Sequence, residues 1–364
     1  VMRASRGRTS ASSPRSSATI GVTRDGSRGA LKGASERRAP RQNAVPDGRD
    51  RSRRLSESGA NRRAMTPDDD ISIDEKRVYA GSTGRNDVYV ATETGLVRVA
   101  VSGDKIGTFE LLGDRGVVRD VAVCTRPGRP PVIAAATEHG LYTSPVGDEP
   151  TRVDVDGDVP VAVGDTDGAL SIADADGTLS RVTVDDDGTP TGTHRVGRLD
   201  DVTAIAGPFV AGRNGVHRVD DATGGTAEHG VALVSVGLDD ARDVAAAGMP
   251  LAATATGLYW LGNGWMPAIE GDATAVAADG EGAALAVVDG HLLAHETGET
   301  DWSAAAWAGT ALPVDERPVA LAAHPGLAVV VTEAGTLCVE AGDGWRHQAL
   351  GVPGVSGVAV APGT

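Results

Sequence analysis

Along most of the chain, short runs of small apolar residues are cut by polar turns that end in glycine. Seven such units recur: Val88–Val97, Val132–Tyr142, Leu170–Leu179, Phe209–His217, Leu251–Tyr259, Leu285–Leu292 and Ala328–Leu337. Each predicts a strand, a tight turn closing on Gly95, Gly140, Gly177, Gly215, Gly257, Gly290 or Gly335, and a second short strand. A tight hairpin needs positive φ at one turn position, which glycine adopts without steric cost. Turn-tolerant residues stand just before it, as in Thr92-Glu93-Thr94, Asp174-Ala175-Asp176 and Arg213-Asn214. No stretch of useful length has helical period, which argues against helical and α/β folds.

A second set of narrow apolar runs precedes the hairpins: Asp120–Cys124, Val159–Val163, Val202–Ala206, Asp243–Ala247, Thr274–Ala278 and Val319–Ala323. Side chains this small suit strands crowded around a central axis. Downstream, Asn263-Gly264-Trp265 and Asp343-Gly344-Trp345 read as type I′ hairpins into an outer strand. That makes four strands per unit, and the seven glycines are spaced 40 residues apart on average, the period of a propeller blade. The prediction is an all-β, seven-bladed β-propeller over residues 65–364. Gly357–Pro362 repeats the innermost pattern with no hairpin after it, so it is expected to complete the first blade and close the ring. Arg77–Ala80 fits the same slot, and the sequence leaves the two ends competing for it.

Charge divides the chain. Residues 1–64 hold 16 of its 34 Lys+Arg and 5 of its 50 Asp+Glu, a net of +11, which leaves −27 on the remaining 300 residues. The first piece is Arg, Ser, Gly and Ala with only Ile20, Leu31 and Leu55 as scattered larger aliphatics, too few to repay the entropy of folding, so it is expected to be disordered. A basic run such as Arg49–Arg54 suits phosphate contacts or a targeting role. The abrupt change at Met65-Thr66-Pro67-Asp68 instead points to Met65 as the initiator, with 1–64 a mis-called start.

The acidic body carries only Lys76 and Lys105 as lysines. Such a surface costs self-repulsion at low ionic strength, and salt removes most of that cost. The composition resembles cytoplasmic haloarchaeal proteins, and it makes the body a poor partner for nucleic acid or an anionic membrane. Two cysteines exclude a disulfide scaffold, and no apolar run approaches the ~18 residues of a membrane span.

From Ile71 to Thr364 the repeats look like those of a haloarchaeal β-propeller family. Individual units, such as Thr254–Trp260 followed by Asn263-Gly264-Trp265, are similar to degenerate sialidase-type (Asp-box) or WD40-like blades. The Ser-x-Asp-x-Gly-x-Thr-Trp turn of the Asp-box is absent, so the resemblance implies the fold and not a glycosidase.

Candidate chemistry is thin. His291 and His295 lie four apart, but on a strand that separation is ~13 Å, too far to chelate one ion, and Leu292 stands where a helical HExxH motif needs Glu. The acidic turns at Asp165–Gly168, Asp174–Gly177 and Asp185–Gly188 do not match a calcium loop. Cys124 and Cys338 read as buried structural thiols. The hairpin turns should gather on one rim around the channel mouth, bringing Glu93, Glu138, His139, Asp174, Asp176, Arg213, Asn214, Asp289 and Glu333 together as a binding rim or as a merely solvated one. All five tryptophans, Trp260, Trp265, Trp302, Trp307 and Trp345, fall in the last three blades, as a partner-docking patch or as blade-to-blade packing. The reading is a non-catalytic binding or assembly scaffold in a salt-adapted cytoplasm, with a protein partner and no cofactor or metal. The alternative is a hydrolase or lyase using rim carboxylates at the channel mouth as acid and base.

Overall fold

The structure, a computed structural model, describes residues 84–113, 116–220, 232–342 and 344–362. All of them fall in the compact unit Asp70–Thr364. Residues 1–64, the Met65 start and Arg77–Ala80 lie outside the described residues.

Seven four-stranded antiparallel sheets follow one another along the chain. The innermost strands of blades two to seven are Val118–Cys124, Pro160–Thr166, Val202–Ala206, Ala241–Ala245, Ala273–Ala278 and Pro318–His324. Each contacts the innermost strand of the next blade, and the series returns on itself through Gly357–Pro362. That C-terminal strand pairs with Arg85–Thr92, Ala91 opposite Gly357 and Asn86 opposite Pro362, so the chain end takes the first blade's inner position.

The core lies between blades. Seven apolar clusters each join two neighbouring blades, one per interface of the ring. In the second strand of blade one, Val88 and Val90 face blade seven while Tyr89 and Ala91 face blade two, and all four are fully buried. A strand buried on both faces loses the apolar/polar alternation of a half-exposed one, which is why these strands read as continuous apolar runs. Burial of each such valine contributes about 1.5–3 kcal/mol.

The seven hairpin glycines all have positive φ, from 76° at Gly290 to 158° at Gly257. Asn263 does not, so the turn at Gly262–Gly264 is not type I′, which needs positive φ at both central residues. It is closed instead by a bond from the Gly262 N–H to the Gly264 carbonyl at 2.9 Å.

Gly335 shows what the turns demand. Its φ is +77°, and a Cβ there would collide with the carbonyl oxygen of Val352 in the strand-connecting loop. Gly298 has a similar φ of +91° but open space around it. Gly335→Ala is therefore expected to cost about 2–4 kcal/mol, and Gly298→Ala about 1–2 kcal/mol from backbone strain alone. Urea midpoints compare them; equal losses would show that the close approach to Val352 does not matter.

Candidate functional site

One backbone hydrogen bond is repeated around the rim. The residue after each second strand donates its N–H to a carbonyl just ahead of the same blade's innermost strand. The pairs are Glu93 to Gly354, Glu138 to Val117, Ala175 to Val159, Arg213 to Asp201, Ala255 to Asp240, Asp289 to Asp272 and Glu333 to Arg317, at 2.9–3.3 Å. Each hairpin is thus tied to the loop beside it. Thr92, Thr137 and Thr254 brace their turns from within, donating Oγ1–H to the carbonyls of Gly95, Gly140 and Gly257 at 2.7–3.0 Å.

Several rim carboxylates are used in the same way. Glu138 Oε1 accepts the Val117 N–H at 3.0 Å and lies 3.7 Å from His139 Nε2. Asp289 Oδ1 accepts the Asp272 N–H at 2.8 Å. Asp174 is buried and accepts the Asp158 N–H at 3.2 Å; desolvation pushes its carboxyl up to about 6. Asp176 accepts both the N–H and the hydroxyl of Thr178, which hold it below the ordinary carboxylate range. Arg213 lies 3.5 Å from Asp201, Asn214 is exposed, and Glu333 takes Arg317 Nε at 3.0 Å.

The nine residues do not meet at one point. Glu138 and His139 line a small cleft of about 210 Å³ between blades two and three, with Arg152 and Asp158. Asp289 and Glu333 share a larger cavity, about 660 Å³, between blades six and seven. Its wall is completed by His291 at the head of blade six's third strand and by Asp315, Glu316 and Arg317 from the segment entering blade seven. The opening has a simple cause. The outer strand of blade six is only Trp307–Gly309, so the wedge between the two blades is not covered by a full fourth strand.

Four of the cavity's charged groups, Asp289, Glu316, Arg317 and Glu333, are held in place. Thr332 donates its hydroxyl to Glu316 Oε2 at 2.5 Å, which together with Thr336 holds Glu316 below the ordinary range. Arg317 clamps Glu333 through Nε and a terminal nitrogen, both at 3.0 Å. A pre-positioned arginine, a histidine and fixed carboxylates around an open cavity suit recognition of a polar partner. The sequence singles out His291 only as a histidine four residues from His295, and Asp315, Glu316 and Arg317 escape notice because they lie outside the hairpin turns. The 45-residue interval from Gly290 to Gly335, with Pro313 and Pro318 in it, carried the signal of a long connecting loop.

The carboxyls pushed up most lie on the inner ring. Asp120 and Asp243 follow a β-bulge in the innermost strands of blades two and five. Asp120 accepts the N–H groups of Val121 (2.8 Å) and, across the blade boundary, Val163 (2.9 Å). Asp243 does the same with Val244 and Val276, both at 2.8 Å. Desolvation pushes both up to about 7, and the charge of Asp243 adds to the effect at Asp120.

The tryptophans lie at the other end of the blades, on third-to-fourth-strand connections or beside them. Trp302 and Trp307 are buried between blades five and six around His295. The His295 ring stacks on Trp302 at 3.9 Å, and its two nitrogens lie 2.9 Å from the carbonyl oxygens of Gly282 and Asp301. Trp260, Trp265 and Trp345 are half-buried, packed at the joints between blades five and six, four and five, and six and seven. His291 is exposed while His295 is buried, so the two do not act as a pair. Cys124 and Cys338 are buried, and desolvation pushes both thiols up to about 12. Among the described residues, no three His, Cys, Asp or Glu side chains group to hold a metal ion, and no helix is long and apolar enough to cross a membrane.

A ring of seven four-stranded blades closed by the chain's last strand, with its cavities in the connecting loops, defines a β-propeller. The family model described as "Beta-prop_HVO_0234:-like, beta propeller" matches residues 72–361, and the chain belongs to that family. A search of curated proteins finds no match. Among solved structures, apo AztD from Citrobacter koseri is similar over 77% of this chain and 99% of its own, at 12% identity and a TM-score of 0.47. Human WBSCR16 is similar over 77% and 99%, at 13% identity and 0.47. The structure titled "YCF48 bound to D1 peptide" is similar over 68% and 93%, at 14% identity and 0.46.

Proposed function

We propose that this propeller is a binding or assembly scaffold of a salt-adapted cytoplasm, and that a protein partner engages its rim between blades six and seven. The observation that carries the reading is the cavity of about 660 Å³ where Asp289 and Glu333 meet His291 and Arg317. Asp289, Arg317 and Glu333 are fixed by neighbours in the same protein, so little ordering cost remains for them when a partner arrives. The carboxyls with strongly raised proton affinity, Asp120, Asp174 and Asp243, lie elsewhere, which favours recognition over acid catalysis in this cavity. The net charge of −27 on residues 65–364 supports a salt-rich setting.

The test is affinity purification in molar KCl, with the wild type beside a His291→Ala/Arg317→Ala/Glu333→Ala variant. A defined polypeptide is expected to co-elute with the wild type and to be lost with the variant. Equal recovery from both would move the binding surface away from this cavity, and no co-eluting chain at all would remove the scaffold reading.

A further inference from the structure

The blade-six to blade-seven joint is open at its other end as well. There a groove of about 530 Å³ runs between the two sheets, at the end of the blades away from the rim cavity. Its floor is apolar, with Leu285, Ala294, Leu327 and Ala328. Trp345 stands in its wall, half-buried and packed into the cluster that joins the two blades. The outer strand Trp307–Gly309 pairs here with Leu293–His295, so the groove is bounded by the third-to-fourth-strand connections of the two blades.

The charge of the groove is one-sided. Asp279, Glu296 and Glu340 line it, and no lysine or arginine does. Asp279 and Glu340 each spend one oxygen on their own turns, accepting the N–H groups of Ala283 and Gly342 at 2.9 Å. Glu296 is exposed, and among the described residues its carboxylate has no partner. His295, also in the wall, has both ring nitrogens occupied and a tryptophan stacked on it, so this side is rigid.

We propose that this groove docks a basic peptide segment, an arginine of which lies against the Trp345 ring with its charge met by Glu296 and Glu340. The chemistry selects arginine. A planar guanidinium stacks on an indole face and offers a fork to a carboxylate, whereas an ammonium does neither as well. The apolar floor takes the neighbouring side chains of an extended segment, and the surrounding acidity repels phosphate-bearing partners. The inference stands apart from the rim reading, since changes at the rim should leave this groove untouched.

A fluorescein-labelled peptide of alternating Arg and Ala, titrated in roughly physiological salt and followed by anisotropy, tests it. Trp345→Leu, which keeps an apolar side chain at the joint, is expected to weaken binding about fivefold or more through loss of the cation–π contact. Glu296→Gln/Glu340→Gln should weaken it about tenfold. Glu149→Gln/Glu270→Gln changes net charge equally at exposed sites elsewhere and should leave affinity within about twofold. A Lys-for-Arg peptide should bind several-fold more weakly. If both charge-matched double variants weaken binding equally, the attraction belongs to the whole acidic surface and the groove is not a site. If Trp345→Leu binds like wild type, or if free spermine shows the same dependence on these variants, recognition of an arginine peptide is overturned.

Discussion

Truncation before Gly357 is expected to abolish the cooperative folding of the whole ring, although it removes only one short strand. Gly357–Pro362 fills the inner position of blade one, along the edge of Arg85–Thr92. It also contacts the innermost strands of blades two and seven, and Ala361 is fully buried. Ser356 just ahead of it donates its hydroxyl to the Val118 carbonyl of blade two at 2.8 Å. Without the strand, Arg85–Thr92 presents an open edge, a row of unpaired N–H and C=O groups prone to pairing with another chain. The apolar faces of two blades lose cover at the same time. The thermal midpoint should fall by more than about 10 °C, with aggregation above it. Pro362 sits opposite Asn86, so a short hairpin can join them in a permuted chain that begins near Val352. That permutant should regain the wild-type transition, because the strand matters and its place in the chain order does not. A truncated protein that melts within a few degrees of the wild type would show that the ring does not depend on this closure.

The architecture was legible because blade geometry repeats in the sequence. Positive φ at the seven hairpins demands glycine, and the ring's narrow centre demands small side chains, so both leave period-40 marks. The closing strand was legible as an unpaired copy of the innermost pattern. Its competition with Arg77–Ala80 needed strand register to resolve at the C-terminal end. The site was harder. Hairpin turns announce themselves, but whether a turn carboxylate faces solvent depends on a loop many residues away. Asp174 illustrates this, buried by the N–H of Asp158. The cavity between blades six and seven arises from a missing length of outer strand, which has no residue signature of its own. Asp120 and Asp243 were visible as strand openers, yet their significance emerges only from register. They occupy the post-bulge position that Ala162, Ala204, Ala275 and Ala320 fill in four other blades.

Stability is expected to fall as pH rises from about 5 to about 8, the reverse of the usual behaviour of carboxylates held by salt bridges. Asp120 and Asp243 are pushed up to about 7 in the folded ring against an ordinary 3.8, and Asp174 to about 6. Between those limits the native state binds more protons than the unfolded chain, so ∂ΔG/∂pH for unfolding is negative. The contribution is fully present below about 3.8 and lost as pH climbs through about 7. Each fully shifted group supplies on the order of 1.4 kcal/mol per pH unit, reduced wherever water reaches the carboxyl. Asp176, Asp220, Asp301 and Glu316 are held below their ordinary values, and their stabilisation is lost only at more acid pH. The two sets act in different windows, so a stability maximum should fall near pH 4–5. Urea midpoints at fixed KCl across this range measure the slope. Asp120→Ala/Asp243→Ala should flatten it, since alanine already fits the equivalent position in four blades. The variant is also expected to lose about 1–3 kcal/mol at low pH for each of the Val163 and Val276 N–H groups left without its acceptor. A wild-type stability that is level or rising from pH 5 to pH 8, or a slope unchanged in the double variant, would show that these two aspartates stay ionised through neutrality and that the stitches between blades outweigh the cost of burying their charge.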